Sequence, residues 1–267
     1  MKHIGIIILI LLTLLCMGYG QQPKQSSVGK VTFSIGKYFI QDAGRLSWET
    51  AEFQAPVHNR DKIKTDKEAR CEVTLSTKKV MRIGENSVVE ITQPAKNENE
   101  VEVSKGRGWL SLFFPRGESS VRVKTPTSIC AVRGTVFRLE SDSNQTSYRC
   151  YQGELAVTPY NKGRTALADS TFKVTGGQEL ILVMDFETYK KQQEEAFRNF
   201  REDDMDAFER FKQQDQQQFN QMVENDLKAF KAMQDISYKA STFDMQEDNQ
   251  SDWVRWNKER DRLLQNK

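Results

Sequence analysis

The chain has 267 residues, with 39 Lys and Arg against 37 Asp and Glu and a formal net charge of +2. This balance selects neither a polyanionic nor a polycationic partner, and nucleic acid is not an expected one. Two histidines and four cysteines leave the usual bases and metal ligands scarce, and no Cys-x-x-Cys or Cys/His spacing marks a zinc site. A Ser-His-Asp or Cys-His unit would have to be built on His58, which sits beside Asn59 in a polar turn; no P-loop, dinucleotide fingerprint or G-x-S-x-G elbow is present. The chain therefore reads as a non-enzyme with no catalytic residue, metal or cofactor.

Residues 1–20 have the form of a secretory signal. Lys2 and His3 give a basic start, Ile4 to Leu15 form a short apolar run, and Gly18 and Gly20 place small residues before a cut ahead of Gln21. The run is short of the roughly 20 residues needed to cross a bilayer. A periplasmic or secreted location follows as the expectation, with no transmembrane span in the mature chain. Cys16 invites a lipid anchor, but Leu15 stands where a lipobox wants a small residue, so that reading is disfavoured. Residues 21–27 read as a linker.

From 28 to 183 the pattern is period two. Val31-Thr32-Phe33-Ser34-Ile35, Val101-Glu102-Val103 and Val121-Arg122-Val123 place apolar side chains on one face of a strand. Breaks fall at polar clusters such as Ser141-Asp142-Ser143-Asn144. A Gly-x-apolar unit recurs at Gly29, Gly108 and Gly153, read as turn glycines entering strands. The rhythm predicts an all-β sandwich, roll or solenoid-like stack of many short strands. The run Trp109 to Phe114 alternates poorly and reads as buried on both faces, with an exposed aromatic for a glycan as the rival reading.

The segment Val123 to Phe137, with Thr125, Pro126, Ala131, Val132, Arg133, Gly134 and Thr135, resembles the V-x-T-P-x-x-x-x-A-V-R-G-T-x-F signature of the FecR family. Upstream, Val28-Gly29-Lys30-Val31, the Asp61 to Thr65 "D-x-I-x-T" turn, Ala69 to Leu75 and Met81 to Ser87 follow in the family's order, so the resemblance spans Val28 to about Gly177. It implies an extracytoplasmic β-domain that relays a signal by protein contact. The family's best-known members carry a cytoplasmic anti-sigma segment ahead of this domain. Here the signal starts at Met1, so direct control of a sigma factor is not carried over. Arg133, Gly134 and Thr135 are read as a turn that builds the fold rather than a ligand site.

Export leaves Cys71, Cys130 and Cys150, an odd number in an oxidising compartment. They are candidates for one disulfide, of unassigned pairing, or for three small core residues.

No glycine follows Gly177 and no proline follows Pro159; from Met184 the composition turns to Glu, Gln, Asp, Lys and Phe. Phe186, Phe197, Phe208, Phe219 and Phe230 recur every eleven residues, and Tyr189, Phe200, Phe211, Met222 and Met233 follow each by three. Eleven residues in three turns keep such a stripe nearly straight along a helix. The pattern predicts one long helical arm over 184–240 with five hendecads, then a short amphipathic helical tail over 241–267. An exposed stripe of this kind needs a surface: a second copy, its own β-domain or a membrane. Residues 184–267 carry 14 Lys and Arg against 19 Asp and Glu, which disfavours anionic lipid. Regularity over five units favours homo-oligomer assembly through the arm.

The resulting expectation is an exported envelope protein acting as a protein-interaction or scaffold module. The alternatives are a cell-wall or glycan-binding module, or a signalling component resembling the periplasmic half of FecR regulators.

Overall fold

The computed structural model describes residues 27–76, 78–96, 98–113, 120–161, 163–203, 214–234 and 236–265, without side chains at 120, 197–203 and 214–219. The signal segment with Cys16, the linker before residue 27, Phe114, Phe208 and Phe211 lie outside the described residues, as do the side chains of Phe197, Phe200 and Phe219.

The strands are β1 Ser27–Ile35, β2 Tyr38–Gln41, β3 Glu49–Thr50, β4 Pro56–His58, β5 Asp61–Thr65, β6 Arg70–Ser76, β7 Lys79–Ile83 and β8 Val88–Ala95. They continue as β9 Glu98–Leu112, β10 Ser120–Lys124, β11 Ser128–Ser141, β12 Gln145–Pro159, β13 Phe172–Thr175 and β14 Gln178–Val183. Helices α1 Phe186–Asp203 and α2 Gln214–Lys228 follow, then β15 Lys231–Met233 and β16 Ile236–Thr242, and last α3 Met245–Asp248 and α4 Asp252–Gln265.

All strands join one sheet whose main path runs β15-β16-β14-β12-β11-β10-β9-β7-β6-β1-β4. The three longest strands each change direction at a glycine in the left-handed region: Gly106 in β9 (φ 101°), Gly134 in β11 (φ 60°) and Gly153 in β12 (φ 85°). Apart from the β11–β12 ladder, which runs along both halves of those two strands, each half pairs with different neighbours. β9 pairs with β8 and β10 before Gly106 and with β7 and β11 from Gly106 onward. β12 pairs with β14 before Gly153 and with β13 after it.

The sheet thus folds over on itself. Tyr148 lies opposite Leu139 in the β11–β12 ladder, yet its hydroxyl is 2.9 Å from Ser128 Oγ. Ser128 and Leu139 are eleven positions apart on β11, about 36 Å along an extended strand, a gap that only a doubled-over sheet closes. Between the layers lies the core, with Val31, Ile63, Met81, Ile83, Leu110, Phe137, Leu139, Leu155 and Leu180 all essentially inaccessible to water.

Two local expectations are corrected. Asp61 to Thr65 is a strand rather than a turn, with Asp61 accepting hydrogen bonds from the His58 and Ala43 amides. Gly29 and Gly108 lie within β1 and β9, without positive φ, so neither is a turn glycine.

The larger correction concerns the C-terminal third. No long helical arm with hendecad repeats exists: the described residues form one strand-rich sheet with few, short helices. The rings of Phe186 and Tyr189 at the start of α1 contact Phe230, just after α2, with centroids 5.3 and 5.1 Å apart. The ends of the supposed straight stripe therefore meet. Beyond Phe230 the span predicted as helical arm turns to strand, as β15 and β16, and β16 pairs along the whole of β14. Helix propensity is worth tenths of a kcal/mol per residue, and a sheet edge offering ladder bonds to Ile236-Ser237-Tyr238 outweighs it. Among the described residues no helix is long and apolar enough to cross a membrane.

Candidate functional site

The burial pattern locates a second packed face. All five residues of β7 and the last five of β9 are buried, which period-two alternation does not produce with one core alone. Met81, Ile83, Leu110 and Leu112 point into the core, whereas Arg82, Trp109 and Ser111 point to the opposite side, where the C-terminal segment covers them.

On that outer face one residue from each of eight strands falls into a single transverse row. The ladders place Phe33 opposite Glu72, Glu72 opposite Arg82, Arg82 opposite Trp109 and Trp109 opposite Arg138. Arg138 in turn lies opposite Arg149, Arg149 opposite Glu179 and Glu179 opposite Ser241. Adjacent side chains in such a row stand about 5 Å apart, so the row is a continuous strip of charge and aromatic surface.

The chain's own residues 243–265 lie along this strip. Buried α4 residues Trp253, Asn257 and Asp261 are spaced by four, which sets them on one helix face. Asp261 is the central contact: Arg82 Nη1 and Ser111 Oγ each donate to its Oδ1 at 2.6 Å, and Trp109 Nε1 donates to its Oδ2 at 3.0 Å. Toward β1, Arg260 donates two hydrogen bonds to Glu72, at 2.6 and 3.1 Å, and its guanidinium lies 4.5 Å from the Phe33 ring centre. Toward β12, Asp248 accepts from Arg149 at 2.6 Å and from the Tyr151 hydroxyl at 2.5 Å, and pairs with Arg138 at 2.8 Å. Asp244 caps α3 by accepting from the Gln246 and Glu247 amides, which holds Asp248 in place.

The centre of this strip is shielded from water. Arg82 is fully buried and Glu72 is 1% exposed. Burial alone pushes the Glu72 carboxyl up, but hydrogen bonds from Arg260 and Arg82 outweigh it and hold the group below its usual range. Burial raises the Tyr151 hydroxyl well above its usual range, with Asp248 adding to the effect. Arg70 donates to Asp252 at 2.5 Å and stacks near Trp253 and Trp256, closing the seam on its β6 side. Among the described residues no group of His, Cys, Asp and Glu is arranged to hold a metal ion.

Residues 61–156 match the family model described as FecR protein. The chain carries a FecR domain. The match is shorter at both ends than the Val28 to Gly177 span of the sequence resemblance. It contains the middle of the row, Glu72, Arg82, Trp109, Arg138 and Arg149, while the covering segment 243–265 lies outside it. No curated protein matches the chain. Among solved structures, two crystal structures of a "putative anti-sigma factor" from Parabacteroides distasonis ATCC 8503, at 2.50 and 1.65 Å resolution, are similar at 15% identity and a TM-score of 0.39. The alignment covers 46% of this chain and 54% of that one, about half the length of that protein.

Within the FecR domain, Arg133, Gly134 and Thr135 form the corner where β11 doubles over. The ladder register shifts there, and a Cβ on Gly153 would stand 2.6 Å from the Gly134 carbonyl oxygen. Thr135 Oγ1 donates to the carbonyls of Arg133 and Glu154 at 3.1 and 3.0 Å, tying the corner together. Arg133 itself is exposed.

The remaining candidates are dispersed. Cys71, Cys130 and Cys150 are free, buried thiols; Cys130 lies opposite Val157 and Cys150 opposite Phe137, so neither has a cysteine as ladder partner. Of the Phe stripe, Tyr189 is buried, Phe186 and Phe230 are half-buried, Met233 packs on the main core, and Met222 is 58% exposed. Sequence reasoning missed Asp248 and Asp261 entirely. The local signal was the period-two placement of Arg70 with Glu72, Arg107 with Trp109 and Ser111, and Arg149 with Tyr151. In a strand such residues ordinarily face water, so the pattern alone does not reveal a covered face.

Proposed function

We propose that this chain is a component of envelope signalling, exported by its N-terminal segment, that works through protein–protein contact and catalyses no reaction. The FecR domain supports the envelope assignment. The observation that carries the contact reading is the transverse row: one FecR face holds a helical segment through ion pairs shielded from water, which is recognition chemistry rather than reaction chemistry. Its hydroxyl–carboxylate contacts, Ser111 with Asp261 and Tyr151 with Asp248, join the face to the segment that covers it.

The test is crosslinking in the native envelope. A photoreactive residue is placed at Leu46 or Phe53, which are 95% and 61% exposed on the FecR-bearing body. The expected outcome is a discrete adduct with one other envelope protein. Retention of the chain on purified wall, with no protein adduct from either position, would favour the glycan-binding alternative instead.

A further inference from the structure

We infer that the transverse face is an exchangeable helix-binding site: the chain's own segment 243–265 is its resident occupant, and a partner protein's amphipathic helix with the same chemistry displaces it. That helix presents an aromatic residue and a carboxylate at i and i+8, the positions of Trp253 and Asp261, with a second carboxylate preceding them as Asp248 does. The inference deepens the protein-contact reading and rests on it for the partner alone.

Four observations converge on exchange. First, the fit is incomplete. Four buried side-chain polar atoms have no hydrogen-bond partner among the described residues, and three sit in this seam: Arg82 Nη2, Trp253 Nε1 and Asn257 Oδ1. Each such group left without a partner costs about 1–3 kcal/mol, which weakens the hold of the seam on its occupant. A seam that collects them is not packed like a core.

Second, open clefts enter the seam from both sides. One of about 480 Å³ is lined by Arg70, Glu85, Arg107, Asp252 and Trp253, and one of about 610 Å³ by Arg138, Arg149, Glu179, Phe243 and Asp248.

Third, the attraction is ionic. Arg82 with Asp261, Arg138 and Arg149 with Asp248, and Glu72 with Arg260 are matched charge for charge across the seam. Shielded ion pairs of this kind select a partner while adding little net stability, since desolvation offsets much of the Coulomb gain. The segment's apolar contribution is confined to a few rings and one aliphatic: Trp253 and Val254 are buried with Trp109 and Val136, Trp256 packs part-buried against them, and Phe243 meets the edge of Tyr151.

Fourth, the occupant joins no ladder. It leaves the sheet at Phe243, whose amide donates to the Gly177 carbonyl, and the bonds that hold it on the face beyond that point use side chains of the strip. Releasing it breaks no strand pairing. Yet an empty face would leave Arg82 and Glu72 exposed to each other alone, so the site favours an occupant at all times.

The test uses the chain from residue 21 onward with a protease site inserted ahead of Asp244, cut after folding. The nicked segment is then held by the face at its intrinsic affinity. A labelled peptide of residues 244–265 is added in excess under native conditions. Exchange into the complex, with the β-sheet circular-dichroism signal unchanged, is the expected result. A segment that stays in place until the sheet itself unfolds would show it to be a fixed part of the fold and overturn the inference.

The same peptide carrying Asp248→Asn and Asp261→Asn should compete at least tenfold less well; equal competition would refute the charge-matched chemistry. Light scattering of the uncut chain reads a third arm. A monomer is expected, whereas a dimer that disappears on removal of the segment would make a second copy the exchanging partner and overturn the assignment to another protein. Failure of exchange leaves the crosslinking test of protein contact untouched, so the two readings fail separately.

Discussion

The rings of Phe186 and Phe230 lie 5.3 Å apart, although 44 positions separate them in the chain. In one continuous helix those positions would be about 66 Å apart. Their contact closes the base of the α1–α2 region, beside Tyr189, and delivers the chain to β15 and β16 at the sheet edge. The side-chain pair formed by Lys239 and Asp226 fastens the same corner.

Spin labels at the exposed positions Glu187 and Lys228 test this directly. The expected distance is far below the about 62 Å of a straight rod. Phe230→Ala should cost about 1–2 kcal/mol, since the ring is half-buried, and should raise hydrogen exchange in α1 and α2 before it affects the main sheet.

The corner glycines should be intolerant. Gly153→Ala forces an L-residue to φ 85° and sets its Cβ against the Gly134 carbonyl oxygen. Backbone strain alone is about 1–3 kcal/mol, and the clash adds to it. Gly44→Ala is the control, at φ 80° with nothing within 4 Å of the added Cβ, and should show the strain without the clash. Urea midpoints of the two variants should differ in that order.

Arg82 should be among the most sensitive charged positions. Arg82→Ala leaves Asp261 and Glu72 buried against fewer donors. Breaking a buried pair from one side costs about 3–5 kcal/mol. Arg262→Ala, whose partner Glu259 is more than half exposed, should change the urea midpoint little. Equal effects would mean that the seam is solvated.

Acid should loosen the covering segment. The folded-state Glu72 carboxyl is held below its ordinary value of 4.5, so the unfolded chain takes up its proton first as pH falls. Its stabilising contribution is complete above the ordinary value and is lost as pH falls through the depressed one. Hydrogen exchange of residues 245–265 should therefore accelerate below about pH 4. Glu72→Gln should flatten that dependence while lowering protection at neutral pH.

The thiols should be silent in the native protein. Burial raises Cys71 to about 12 and Cys150 to about 11, and pushes Cys130 higher still. A chain spanning residues 21–267 should not react with a thiol reagent at pH 8, and should release three thiols in denaturant without reductant. A single thiol under those conditions would mean that two of the cysteines are bridged.

The β-domain was legible in the chain because its signals are local. Val101 and Val103, or Val121 and Val123, alternate whatever lies across from them, and the Arg133-Gly134-Thr135 corner needs a glycine at that one backbone position. The unbroken burial of Trp109 to Leu112 was legible too, as a run that fails to alternate. An eleven-residue period is different in kind. It states which side chains share a face if a helix is continuous, and it carries no information on whether it is.

By itself, then, the sequence determined a strand-rich domain with a FecR segment at its centre, because strand pattern and turn chemistry are written within a few residues. Tertiary structure alone decided which face of that domain is covered, and by what. The row from Phe33 to Ser241 exists only once eight strands are in register, and Glu72 meets Arg260 across 188 positions of chain. Such a contact depends on how the sheet folds and where the last helix lands, a long-range packing outcome that no local periodicity encodes.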